Sequence, residues 1–422
     1  IHARYWQPMQ VALGDNLTEC IRHYLMRNGS LVKQSDIYFT LKDRVGQTDA
    51  LASLEEIAIF AGYYKKLLHP ENETNNSLQA ALKRINRLEV TTAYPFLLNC
   101  YHDYCQGRLV INDFLEILQI IENFIIRRFV CNVPTNELNK IFPQLYAQAI
   151  LRDSGSLPNG VRAVLQSHGY PKDIEFRSRL VESRLYGAGE RTTKTKLILE
   201  TIETSYRHHE VVPFDSLTIE HVMPQTITDW WQEHLGENWQ ADHELLLHTL
   251  GNLTLTAYNS ELSNDPFPEK KVRFASSHVD LNSYFVPIAT WNREAIETRS
   301  RQLADQVINI WPYFGDEQVI PVPADGVTGK IPRSLTILGQ TTTVTSWRDV
   351  LTQTMATLAE LEPEAFETLA QEYPRLISSD RNRFRRNRQL QNGYFIEVNL
   401  SAKDIYRFCT QAIETLGLSS HD

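Results

Sequence analysis

Apolar positions in the first half of the chain recur every three or four residues, the period of a helix with one face turned inward. Leu51, Leu54, Ile57, Ala58, Ala61, Tyr64 and Leu68 form one such stripe, and Pro70 ends it. Phe114, Leu118, Ile121, Ile125 and Phe129 form a second stripe, between Asn112 and Pro134. Stripes of this kind usually make the core of a helix bundle, and these hold no cofactor signature. Residues 1–207 are therefore expected to be almost entirely helical.

The period then changes. Thr218-Ile219-Glu220-His221-Val222-Met223-Pro224-Gln225 reads as a short strand ending in an acid–histidine pair. Leu250 to Asn259 reads as a second strand, alternating apolar and polar from Asn252 and running into a polar segment near Asn259. Asp229-Trp230-Trp231 and Trp239 fall in the long loop between them, where aromatic packing is the expected role. A helix from Trp291 to Trp311 turns Ile296, Leu303 and Val307 inward. Gly315 to Pro332 is rich in Gly, Pro, Val and Asp and has no helical period, as a linker would. Beyond it, Leu335–Leu338 and Tyr394–Val398 read as strands, and Ser346-x-x-Asp349 and Ser401-x-x-Asp404 are capping boxes that open helices. The expected organisation is a helical region over 1–207, a strand-bearing domain over 208–315, a linker over 316–333 and a small α+β domain over 334–422.

Composition adds bounds. The 422 residues suffice for two or three domains, and no apolar run approaches the roughly 20 residues of a membrane span. A chain that begins at Ile1, with no signal peptide, reads as a piece of a longer one. Cys20, Cys100, Cys105, Cys131 and Cys409 are odd in number and form no metal pattern with nearby histidines, so buried free thiols in a reducing cytoplasm are expected. The turn-rich stretch Leu185–Arg191 carries Gly187 and Gly189, and no phosphate-binding loop follows it. With a net charge of -9, a nucleic-acid enzyme must gather its basic residues locally. The most basic stretch holds Arg381, Arg383, Arg385, Arg386 and Arg388, with Phe384 among them. Arginines around an aromatic suit phosphate contact and base stacking, against the plainer reading of a solvated surface.

The acid–histidine strand and the downstream asparagines suit one chemistry. Hydrolysis of a phosphodiester needs an activated water and a neutralised leaving oxygen. A histidine titrating near neutrality can take a proton from water. Glu carboxylate and Asn carbonyl are hard oxygen ligands that suit Mg²⁺ or Mn²⁺. Glu220 and His221 are neighbours and would point to opposite faces of a regular strand. A bend near Pro224 is expected to bring both to one site.

The segment Ile219-Glu220-His221-Val222-Met223-Pro224-Gln225-Thr226, with the downstream run from His248 through Lys271, resembles the HNH domain at the C-terminal end of GmrSD-type, modification-dependent restriction endonucleases. It is also similar to the acid-His-x-x-Pro-Gln pattern of the HNH domain in RNA-guided nucleases. Tyr5-Trp6-Gln7-Pro8-Met9 and His23-Tyr24-Leu25 resemble the tail of the ParB-like nucleotide-hydrolysing domain that precedes HNH in GmrSD-type proteins. The resemblance implies a mainly α chain with a ββα-metal (HNH, His-Me finger) core and a small α+β C-terminal domain. It implies His221 as general base, Glu220 and Asn259 as ligands of one Mg²⁺ or Mn²⁺, Asn252 as a brace for the histidine loop, and His248 as a supporting residue. Lys270, Lys271 and Arg273, on or near the metal-site helix, would meet the scissile strand's phosphates. The family's Asp-Gly-Gln-Gln-Arg type motif is absent, so no NTP site is expected in this chain. The implied partners are double-stranded DNA carrying a modification, an N-terminal NTPase domain or partner subunit, and a second copy in a homo-oligomer; none is a membrane. The implied activity is a cytoplasmic, metal-dependent DNA endonuclease or nickase of anti-phage defence. The alternative is a catalytically silent DNA-binding or assembly module on the same scaffold.

Overall fold

The helical stripes fold as helices. In the computed structural model, which describes residues 2–46, 49–206, 213–258, 262–315, 327, 330–337, 340–384 and 386–415, the chain is mostly helical with small antiparallel sheets. The first stripe lies on helix Ala50–Leu68, capped by Asp49, whose carboxylate accepts from the Ala52 amide at 3.0 Å. The second lies on helix Ile111–Val130, where Phe114, Leu118, Ile121 and Ile125 are buried and Phe129 is half-buried. The chain divides into two compact units, Ile1–Pro171 with Glu182–Gly315, and Lys172–Val181 with Asp316–Asp422.

In the first unit, strand β1 (Thr218–His221) pairs antiparallel with β2 (Leu253–Thr256), setting Glu220 opposite Thr254 and His221 opposite Leu253. Both faces of β2 are buried. Helix Glu190–Ser205 packs on both strands, and helix Arg293–Ile310 packs on the turn that leads into β2. The Glu203 carboxylate accepts from the amides of Asp280 and Leu281 at 2.7 and 2.9 Å, so the upstream helix also anchors a downstream segment. Buried Arg299 donates from one nitrogen to the carbonyls of Gly251 and Leu253, both at 2.7 Å, and its guanidinium lies 4.6 Å from the Phe285 ring centre. Glu122 and Arg127 of the long bundle helix bond Trp311, which joins the far end of helix Arg293–Ile310 to the bundle.

The stretch between the strands is not one long loop. It holds helices Asp229–Leu235 and Trp239–Leu246, because Trp231 is fully buried with Phe267, Phe274 and Trp291 and donates its indole N–H to the Asp265 carbonyl at 3.1 Å. His234 and His243, which fall in this stretch, are half-buried. Cys105 is exposed, unlike the other four cysteines. Among the described residues no helix is long and apolar enough to cross a membrane.

The second unit is α+β. β3 (Ser334–Ile337) and β4 (Gln340–Thr343) form a hairpin, and β5 (Ile377–Ser378), β6 (Asn387–Gln389) and β7 (Phe395–Glu397) form a sheet in the order β5-β7-β6. Ser346 and Ser401 each accept from an amide three residues on, at 3.2 Å, and open helices Trp347–Leu361 and Ala402–Thr415. Most of the expected linker, 316–326 with 328–329, lies outside the described residues.

Gly251 is where helix Arg293–Ile310 touches the entry to β2. A Cβ there would lie 2.2 Å from both the Ile296 carbonyl oxygen and Ser300 Oγ. Gly251→Ala forces backbone apart and should cost about 2 kcal/mol or more. Thermal denaturation checks this; an unchanged melting temperature would show that helix and strand are not locked at this point.

Candidate active site at the end of the first strand

β1 stops at His221 because the next backbone groups leave the ladder for one side chain. The Val222 amide still bonds the Asn252 carbonyl at 3.0 Å, but the Met223 amide donates to Asn252 Oδ1 at 2.7 Å. Asn252 Nδ2 donates to the Met223 and Leu247 carbonyls, both at 2.9 Å, and Oδ1 also accepts from Trp291 Nε1 at 3.0 Å. The buried amide thereby uses its full hydrogen-bonding capacity and ties the turn after His221 to the residues before β2.

His221 is 4% exposed, and its Nε2 lies 3.0 Å from His248 Nδ1. One of these nitrogens must donate and the other accept. The Tyr186 ring meets His221 edge-on at 4.6 Å and stacks on His248 at 5.6 Å. It comes from the turn before helix Glu190–Ser205, held there by the Leu185 amide donating to the His248 carbonyl at 2.9 Å. His243 Nε2 lies 3.0 Å from the Pro224 carbonyl. Burial pushes the His221 imidazole down to about 3, helped by the nearby His248 and Lys270. Burial, then Arg184, pushes His248 down to about 4. Both shifts favour the neutral rings, one of which then donates to the other.

The Glu220 carboxylate takes a different partner. Lys270 Nζ, on helix Phe267–Ala275, lies 2.5 Å from Oε1 and also donates to the His221 carbonyl at 3.0 Å. The Lys270 and Glu220 side chains are 0% and 5% exposed. Burial raises the carboxyl and lowers the ammonium, and each charge pulls the other back. The two neighbours are thus joined through Lys270, which bonds the side chain of one and the backbone of the other.

The remaining expected residues divide. Asn259 lies outside the described residues. Lys270 is corrected from a phosphate contact to an interior ion pair, since an amine with no exposure meets no DNA. Lys271 donates to the Ile288 carbonyl at 2.8 Å, and Arg273 is exposed. In the second unit Arg381, Arg383 and Arg386 are exposed, whereas Arg388 bonds Asp349 at 2.9 Å. Arg385 lies outside the described residues, and Phe384 is buried, which removes it as a stacking platform. Tyr186 and Trp291, both in contact with site residues, were not singled out from the sequence for such a role. Neither carries a motif; only the fold brings them there.

Among the described residues no group of three or more His, Cys, Asp or Glu is placed to hold a metal ion. Of the two expected ligands only Glu220 is described, and its carboxylate is held by the Lys270 ammonium, an arrangement that does not by itself fit a divalent ion. A cavity of about 700 Å³ among the bundle helices lies apart from these residues, and its Arg84 and Arg162 are paired with Glu122 and Glu116.

Asn252→Asp tests the brace. It keeps both acceptor bonds but replaces two donors with an oxygen facing two carbonyls, a loss of about 2–4 kcal/mol. Chemical denaturation should show it, together with faster amide exchange at Met223. Parent-like stability would mean that the turn is held by other contacts. No curated protein matches the chain. Residues 170–306, which carry Tyr186, Glu220, His221, His248, Asn252 and Lys270, match the C-terminal domain of the GmrSD restriction endonucleases.

Proposed function

We propose that this chain is the effector part of a modification-dependent restriction endonuclease, cutting double-stranded DNA by metal-dependent hydrolysis at an HNH-type site. β1, β2 and helix Phe267–Ala275 would be its ββα elements. The observation that carries the reading is the buried His221–His248 pair beside the buried Glu220, within the stretch matched by the restriction-endonuclease family.

His221 is the general base. In the tautomer in which His221 Nε2–H is donated to His248 Nδ1, the other ring nitrogen, Nδ1, would present a lone pair to a water. Its depressed pKa keeps that lone pair available at neutral pH, and an approaching phosphate anion raises its affinity for the proton it takes. Tyr186 and His248 fix the ring plane, and Asn252 fixes the turn that follows it. Glu220 and Asn259 would hold Mg²⁺ or Mn²⁺, which supplies positive charge at the scissile phosphate and leaving oxygen when bound.

The Glu220–Lys270 pair is the one observation that favours the alternative, a silent DNA-binding or assembly module. Plasmid cleavage separates the two. The parent should cut supercoiled plasmid with Mg²⁺ or Mn²⁺ and stop in EDTA. His221→Ala should lower the rate by a factor of about 10²–10⁴ and leave folding intact. A His221→Ala chain that cuts at the parent rate would remove the base assignment.

The second unit adds phosphate contacts through Arg381, Arg383 and Arg386, whose side chains are exposed. Replacing these three with Gln should raise the DNA dissociation constant several-fold at low salt. It should also flatten the salt dependence by about 0.9 for each phosphate no longer neutralised. Filter binding across a salt series reads both; identical slopes in parent and variant would show that the run does not touch DNA.

A further inference from the structure

Of the cations expected to meet phosphate beside the site, Lys270 is buried against Glu220 and Lys271 bonds the Ile288 carbonyl. Another cation comes from the turn before helix Glu190–Ser205. Leu185 is fully buried there, between exposed Arg184 and half-buried Tyr186. Hydrogen bonds hold this turn from both sides. The Leu185 amide donates to the His248 carbonyl at 2.9 Å, and the Leu185 carbonyl accepts from Thr195 Oγ1 at 2.9 Å. The Arg184 carbonyl accepts from Arg191 Nη1 at 2.7 Å, and the Gly187 carbonyl accepts from Thr192 Oγ1. Tyr186 lays its ring against both His221 and His248. Arg184 therefore starts from a backbone that is tied to the histidine pair. Its charge reaches His248, where it adds to burial in lowering the ring's affinity for a proton. Among the described residues the Arg184 guanidinium has neither a carboxylate partner nor a hydrogen-bond acceptor.

We propose that Arg184 grips the scissile phosphate of the DNA strand. This role rests on the nuclease reading; the unpaired charge beside the histidines does not. In a chain of net charge -9, an arginine with no acid beside it is a local positive spot that nothing inside the protein neutralises. It suits an anion from outside. A planar guanidinium can present two N–H groups to two phosphate oxygens at once. The phosphate gains negative charge as water adds to it, and a fork of this kind stabilises that charge. Its loss should therefore reach the cleavage rate as well as the affinity. An ordinary solvated arginine would behave differently, because its removal would change neither. A contact to a phosphate elsewhere on the strand would change affinity alone.

The test uses the whole chain, as parent, Arg184→Gln and Arg184→Lys. Arg184 supports the turn through its backbone carbonyl, so both variants should fold, and melting temperature checks this. Binding of a short labelled DNA duplex is measured in EDTA across a salt series. Arg184→Gln should raise the dissociation constant about three- to tenfold at low salt and flatten the salt dependence by about 0.9, while Arg184→Lys keeps the parent slope. Cleavage of supercoiled plasmid with Mg²⁺ or Mn²⁺, at saturating enzyme, should fall at least about tenfold in Arg184→Gln. Parent-like slope and rate in that variant overturn the proposal. So does weaker binding with a parent-like saturated rate, which moves the contact to another phosphate. A slower rate with an unchanged slope overturns it as well, and so does a Lys variant whose slope is as flat as that of the Gln variant. A parent that cuts with neither metal ends the nuclease reading, and the slope in EDTA still decides whether Arg184 meets a phosphate.

Discussion

A single carboxamide holds the site in place. Asn252 is bonded to the turn after β1, to the residues before β2 and to the indole of Trp291 in the aromatic core. A buried amide whose donors and acceptors are all matched is stiff, since any movement leaves polar groups without partners in a place water does not reach. The orientation of His221 depends on that stiffness. Arg299 repeats the device one turn away, fixing the carbonyls of Gly251 and Leu253 from the helix behind.

Burial controls the electrostatics. Desolvation lowers the pKa of both His221 and His248 and so favours their neutral forms, in which one ring donates and the other accepts. Glu220 and Lys270 remain a charged pair because either alone would be an unmatched interior charge. Two neighbouring residues on one short strand thus sit in opposite regimes, one stripped of charge and one matched to it.

Much of the fold was legible, and the reasons are local. The stripes at 51–68 and 114–129 have a period that only a helix with one inward face satisfies, and both became helices. The serine–aspartate capping boxes work the same way, because a cap acts within one turn. Trp231 was harder: it lies between punctuating residues that read as a loop, and its burial depends on Trp291, far along the chain. Lys270 was readable in principle from its spacing with Phe267 and Phe274, but a lysine is ordinarily given to solvent. Tyr186 left no local trace, since its contact with the histidine pair is wholly tertiary. Phe384 shows the reverse error, an aromatic assigned to the surface by its arginine neighbours and buried by the fold.

The brevity of the strand pair has a further consequence. Each strand has four residues, too few for a hairpin to persist alone in water. The surfaces that stabilise it come from before and after it: Tyr186 and helix Glu190–Ser205 upstream, helix Arg293–Ile310 downstream. The site therefore has no autonomous folding unit of its own size. Its geometry appears and disappears with the surrounding helices, so gradual loosening of the pocket ahead of general melting is not open to it, and heat would silence it in one cooperative step.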